Sequence, residues 1–477
     1  GRRRPRRRGG AGGMADAGPR WRLWLDGGAP EALRLLLLDD SRGGSARPAL
    51  VPSLWAHVAG FLRFPAPLQM VYLFGGRRPG SDGLEECLDS AEVFDWWRGD
   101  WVPIPPMSSA RVGAAAAVLG RRVVVAGGYC THATEPLDTV EAFDPVPGRW
   151  SMLRPMPTRR YGLALAGVRG RLFAIGGDDG RRVCTANEVY CDHEADWVQA
   201  APLPKPLAGG KAEMHAGKIY YVGGCDQNEE LSAATFVYCP HLDQWDYARI
   251  PSTADRLSLR IGRTSFAMGL IGGMPGDSVP SASSTGPPLG DARLIITGGV
   301  SGRPDEFFLT DTELLPLESA ASRSAPCDHL HAHGGHTDAA WLDVKSVPPM
   351  PQPRSGCRSI VLWPTQQRSF LPWHNLSSSR EGARPFVVVL GGETPNEEGL
   401  VMRPCPEPIV LDMVGGSWHS SPARPKEELG SMLGEPSGVS NGEHDHFLRA
   451  VGKLQTSRVA FAITLAQGLP RSAVHGG

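Results

Sequence analysis

Five arginines stand at the same place in a recurring short motif. Arg111, Arg160, Arg263, Arg354 and Arg458 open the triplets RVG, RYG, RTS, RSG and RVA, each after a tryptophan and each leading into a small, apolar segment. A guanidinium is a planar fork of donors that matches carboxylate and phosphate, so a cluster of them suits capture of an acidic or phosphorylated ligand. Clustered cations also repel one another unless anions compensate. Local acids supply the other reading. Glu92, Glu141, Glu188 and Glu313 recur in intervening strand-like segments, and each could neutralise one arginine. A sixth equivalent segment, PLAGG at 206–210, carries no arginine.

Other residue types that could do chemistry are less organised. Cys327, Asp328, His329, His331, His333 and His336 lie close together in a polar, glycine-containing stretch. They are metal-ligand types, but alternating histidines do not fix a tetrahedral site, and a solvated loop without metal is expected. There is no phosphate-binding glycine loop, no nucleophile elbow and no HExxH. No cofactor is expected. The nine cysteines are scattered without a CxxC pair, which fits reduced thiols in an intracellular setting, cytoplasmic or nuclear. No apolar run reaches the length of a membrane span, and no membrane partner is expected.

The elements that would position the arginines form a repeat. Glycine pairs end short apolar runs six times: Gly75–Gly76, Gly127–Gly128, Gly176–Gly177, Gly223–Gly224, Gly298–Gly299 and Gly391–Gly392. A tryptophan follows each: Trp101, Trp150, Trp197, Trp245, Trp341 and Trp418. Between pair and tryptophan lies another strand pattern, such as TVEAFD or NEVYC. The second glycines are 52, 49, 47, 75 and 93 residues apart, so the last two intervals hold insertions. A period near fifty with several strands per unit is a propeller signature. The glycines permit positive φ at a crowded turn, and the tryptophan suits the space between blades. The first glycine pair lacks a preceding RxG-type strand, and the last such strand, SRVAFAITLA at 457–466, lacks a following pair. Joined, they complete one blade and leave no open sheet edge. The expectation is an all-β, six-bladed propeller closed by its C-terminal strand.

On these motifs the chain resembles kelch-repeat β-propellers over roughly residues 69–466. In kelch domains that bind peptides, arginines at this kind of position line the pocket. The resemblance therefore implies partner binding by Arg111, Arg160, Arg263, Arg354 and Arg458 at one channel mouth, with an acidic or phosphorylated peptide as ligand. Kelch copper oxidases need two tyrosines and two histidines converging on one metal, and no such spacing stands out. A six-bladed sialic-acid mutarotase supplies the alternative, a carbohydrate-active channel. A non-enzymatic adaptor or scaffold is the favoured class.

The flanks divide into a basic tail at 1–19, a helical segment at 20–65 and a tail at 469–477, around a propeller at 66–468. The tail opens RRRPRRR, while the chain as a whole has a formal net charge of −1, so no nucleic-acid partner is expected. In RPALVPSLWAHVAGFLRFP (47–65) Leu50, Leu54, Val58 and Phe61 or Leu62 recur at helical spacing. This piece is similar to the first helix of an F-box, which would link the chain to a cullin ubiquitin ligase. A helix packing on the propeller is the other reading. Segments near 274–290, 318–338, 365–385 and 421–446 read as inserted loops.

Overall fold

The run LFAI before Gly176 and Gly177 becomes a strand because its β-branched and aromatic side chains fit a sheet buried on both faces. It ends where it does because the next two residues take φ of 62° and 99°. A Cβ on Gly176 would sit 2.4 Å from the carbonyl oxygen of Leu207 in the following repeat. Only glycine tolerates both the conformation and that approach.

The computed structural model describes residues 68–79, 85–95, 100–130, 135–272, 292–303, 306–317, 347–362, 386–396, 402–413, 416–420, 459 and 461–468. All regular elements among them are strands, arranged as six antiparallel blades and two short hairpins, Arg77–Pro79 with Glu85–Cys87 and Glu393–Pro395 with Met402–Pro404. The first blade is assembled from both ends of the propeller: Ala462–Gly468, Leu68–Phe74, Ala91–Asp95 and Asp100–Ile104, from the channel outward. Its closing register runs from Leu68 opposite Gly468 to Phe74 opposite Ala462. The second blade is Ala115–Leu119, Arg122–Ala126, Val140–Asp144 and Arg149–Leu153. The third is Ala164–Val168, Arg171–Ile175, Asn187–Cys191 and Asp196–Gln199. The fourth is Lys211–His215, Lys218–Val222, Thr235–Cys239 and Gln244–Tyr247. Three strands of the fifth are described, Ala267–Ile271, Arg293–Thr297 and Thr312–Pro316; Trp341 lies outside the described residues. The sixth is Arg358–Leu362, Phe386–Leu390, Ile409–Asp412 and Ser417–Ser420.

Each blade buries its faces against its neighbours. The cluster around Val71, Phe74 and Val93 also takes in Val123 and Val125 of the second blade and Val388 and Leu390 of the sixth. The tryptophans staple adjacent blades. Trp150, Trp197, Trp245 and Trp418 each donate the indole N–H to a carbonyl just past the preceding blade: Pro105 (2.7 Å), Arg154 (2.8 Å), Ala201 (2.8 Å) and Pro348 (2.9 Å). The expected wedge thus also satisfies a polar atom in each neighbour.

The innermost strands, rich in alanine and glycine, are small because they crowd the axis. A Cβ on Gly167 would lie 2.1 Å from the Val118 carbonyl oxygen of the second blade. The segment 20–65 expected to be helical, the expected insertions at 274–290, 318–338, 365–385 and 421–446, the histidine-rich stretch and the residues at 1–19 and 469–477 fall outside the described residues. All eight described cysteines are free thiols.

Candidate functional site

One end of the channel is built by a backbone pattern that repeats from blade to blade. The N–H of the second glycine donates across the blade boundary to the carbonyl of the residue that opens the next inner segment. The pairs are Gly76 to Arg111, Gly128 to Arg160, Gly177 to Leu207, Gly224 to Arg263 and Gly299 to Arg354, all at 2.9 Å. Within a blade, the residue after the glycine pair forms an isolated bridge with the residue after that opening position. Arg77 meets Val459, Tyr129 meets Val112, Asp178 meets Tyr161, Cys225 meets Ala208, Val300 meets Thr264 and Glu393 meets Ser355.

This stitching decides where the arginines go. Arg111, Arg160, Arg263 and Arg354 turn inward beneath the glycine pairs and are at most 1% exposed. Arg111 donates to the carbonyls of Gly127 (3.0 Å) and Thr139 (3.2 Å) and pairs with Glu141 at 2.5 Å. Arg160 donates to the carbonyls of Gly176 (3.1 Å), Ala186 (3.1 Å) and Ala174 (3.2 Å) and pairs with Glu188 at 2.7 Å. Arg263 donates to the Gly298 carbonyl, holds both oxygens of Asp311 at 2.8 Å and also pairs with Glu313. Burial lowers the pKa of Arg111 and Arg160 from the ordinary guanidinium value, and their carboxylate partners oppose that shift. Four of the five predicted ligand-binding arginines therefore have no surface to offer a partner. Arg458 lies outside the described residues. Pairing with a local acid describes the second, third and fifth blades. The sequence reading did not include Asp311, the bidentate partner of Arg263.

The fourth and sixth blades depart in different ways. In the fourth, Leu207 replaces the arginine and Phe236 replaces the acid, and the Tyr221 hydroxyl donates to the Leu207 carbonyl at 3.2 Å. In the sixth, Arg354 stays but Ile409 occupies the acid's register, opposite Val389. Arg354 donates to the Gly391 carbonyl at 3.2 Å, while its Nε and Nη2 are buried without a hydrogen-bond partner among the described residues. Burial lowers its pKa, with only weak opposition from Cys405, Cys357 and Glu407.

With the arginines inside, the mouth presents a different ring. Arg77, Tyr129, Asp178, Cys225, Val300 and Glu393 occupy one position in six blades and are all half-buried. Arg77 pairs with Glu85 and, across the boundary between the first and sixth blades, with Glu393 at 3.0 Å. Burial works against its charge, but the two carboxylates outweigh it and its pKa rises. Tyr129 and Tyr161 meet edge to face at 5.1 Å, and the Tyr161 hydroxyl lies 3.4 Å from Asp178. Burial raises the pKa of both phenols, so both remain donors at neutral pH. The signal for this ring was the residue after each glycine pair.

A family model of the kelch motif matches residues 110–157, which run from the first buried arginine hub through Gly127–Gly128 to Trp150 and Met156. The fold joins six blades and is closed by a strand from each end. The chain is a six-bladed β-propeller with a kelch motif in its second blade. Among curated proteins, Kelch-like protein 35 of mouse is 28% identical over 144 residues, covering 27% of this chain and 25% of that protein. Its human counterpart is 39% identical over 56 residues, covering 12% and 10%. Kelch-like protein terF of Aspergillus terreus is 32% identical over 83 residues, covering 16% and 18%. The similarity spans a quarter or less of these relatives' length. In kelch terms, each blade keeps its backbone frame and varies the side chain after the glycine pair.

Proposed function

We propose that this kelch propeller is a protein-binding module that captures its partner at the mouth ringed by Arg77, Tyr129, Tyr161, Asp178 and Glu393. The observation that carries this reading is six half-buried residues of five chemical types, a cation, a phenol, two carboxylates, a thiol and an aliphatic group, on one repeated backbone frame. Such a frame holds specificity-determining side chains rigidly, which lowers the entropic cost of binding. The two tyrosines supply amphipathic area, and Arg77 beside Glu393 supplies directional polar contacts. The kelch-like relatives support a binding role over catalysis.

The preference for an acidic or phosphorylated peptide rests on Arg77 at this ring, since Arg111, Arg160, Arg263 and Arg354 are internal. Asp178 and Glu393 stand on the same ring. The arrangement favours a peptide of mixed charge that brings one acidic group to Arg77 and places apolar area on the tyrosines. A role as substrate adaptor for a cullin ubiquitin ligase remains a proposal that rests on the F-box-like pattern in 47–65.

The test is quantitative capture of partners from cells by the full chain, compared with Arg77→Glu and Tyr161→Ala. Partners of the mouth are expected to fall at least tenfold with both variants, compared at equal amounts of folded protein checked by circular dichroism. Cullin-ligase subunits, if bound through 47–65, are expected to stay. Capture of the same partners by all three forms would refute the mouth as the site. Absence of ligase subunits from every capture would refute the adaptor role.

A further inference from the structure

The inner strands contain a second cluster of charge, inside the channel and independent of the mouth. In every blade one inner-strand residue pairs with the residue just before the glycine pair, so these six residues share one level of the channel. They are Ala462, Ala115, Ala164, Lys211, Ala267 and Arg358. Four are alanine and two are cations. Two residues further along the fourth blade's strand is Glu213; the other blades carry Thr464, Ala117, Ala166, Gly269 and Ile360 at that level. These strands enclose a cavity of about 490 Å³, and Lys211, Glu213 and Arg358 are the charged side chains among its lining residues. That volume lies within the range of small-molecule sites.

The two cations are not matched by the protein. Among the described residues neither forms an ion pair. Arg358 donates through Nη1 to the carbonyl of its neighbour Cys357 at 3.1 Å. Burial and then the repulsion of Arg358 hold Lys211 well below its ordinary value, and burial brings Arg358 down to about 10. Like charges facing one narrow channel repel unless an anion joins them. Alanine at the neighbouring positions of this level leaves room for one. Ser359 and Thr464 also line the cavity, and among the described residues no cluster of metal-ligand side chains stands with them.

We infer that the channel interior is a binding site for a small oxyanion, a carboxylate- or sulfate-like group held between Lys211 and Arg358 with Glu213 beside it. Glu213 gives the site a pH dependence. The titratable groups facing this cavity are Lys211, Glu213 and Arg358; the strands from the first, second, third and fifth blades contribute none to it. Burial pushes Glu213 up to about 7, so below neutral pH it is a neutral donor and above it a repelling anion.

The experiment is calorimetric titration of the full chain with sulfate and with malonate in low-ionic-strength chloride-free buffer. Saturable binding is expected, falling at least tenfold in Lys211→Met and in Arg358→Met but unchanged in the exposed control Arg181→Gln. Sulfate does not titrate between pH 6 and 8, so its affinity for the native chain should fall across that range, and Glu213→Gln should flatten the fall. If the methionine variants do not fold, the comparison of the native chain with Glu213→Gln across this pH range decides the matter. No saturable binding of either anion, binding unaffected by Arg358→Met, or affinity independent of pH would each overturn the inference.

Discussion

Glu188→Ile would give the third blade the arrangement that the sixth has natively, an internal arginine facing isoleucine. In the native third blade, Arg160 and Glu188 are both fully buried and meet at 2.7 Å. Glu188 also accepts from the Thr158 hydroxyl at 2.6 Å and the Gln199 amide at 3.2 Å. Removing one member of a buried pair strands the other charge, at about 3–5 kcal/mol. The three carbonyls on Arg160 remain, and buried isoleucine returns about 1–2 kcal/mol of apolar burial. The net loss expected is about 1–4 kcal/mol, read from urea unfolding followed by both tryptophan fluorescence and circular dichroism so that cooperativity is checked. The double variant Arg160→Leu with Glu188→Ile imitates the uncharged fourth blade and should be more stable than Glu188→Ile alone. Its loss of the guanidinium is tolerable because the Ala186 carbonyl already accepts the Gly176 N–H at 2.8 Å. A loss below about 1 kcal/mol for Glu188→Ile, or a double variant less stable than the single, would refute the view that the carboxylate is needed to neutralise the buried cation.

Ending the chain at Phe461 removes the strand that pairs with Leu68–Phe74, so the first blade would expose a bare strand inside the channel; loss of cooperative unfolding and aggregation are expected, and a monomeric, cooperatively folded product by light scattering and circular dichroism would refute closure by that strand. Glu213→Gln tests the channel through stability. Its folded pKa of about 7 lies above the unfolded value near 4.5, so the ionised form disfavours the fold, and native stability is lost as pH rises from about 4.5 to 7. In chloride-free buffer the glutamine variant should match the native chain at pH 4.5 and exceed it at pH 8 by up to about 3 kcal/mol. Equal stability of the two forms at both pH values would contradict the burial of Glu213.

The architecture was legible because the repeat is its own alignment. Six glycine pairs share one geometry, with φ near 60° and then near 95°, and the unmatched strands at the two ends predicted the closing register. The fate of the arginines was less accessible. Their side chains leave the backbone at a turn, and only the close blade-to-blade approach, with the first glycine's carbonyl aimed inward, draws them under the mouth rather than out of it. A clue lay in the columns. The fourth blade lacks the arginine and the acid together, at Leu207 and Phe236, as coupled partners should be lost, and this column pattern favours pairing over ligand capture. The sixth blade breaks that coupling by keeping Arg354 opposite Ile409. The column of Lys211 and Arg358 carried a similar signal, two charges among four alanines, but its meaning depends on which strand is innermost. In this fold the positions that most resemble one another from blade to blade build the frame. Specificity belongs to positions where the frame is constant and the side chain changes, so Arg77, Tyr129, Asp178 and Glu393 are better candidates for partner choice than any of the repeated arginines.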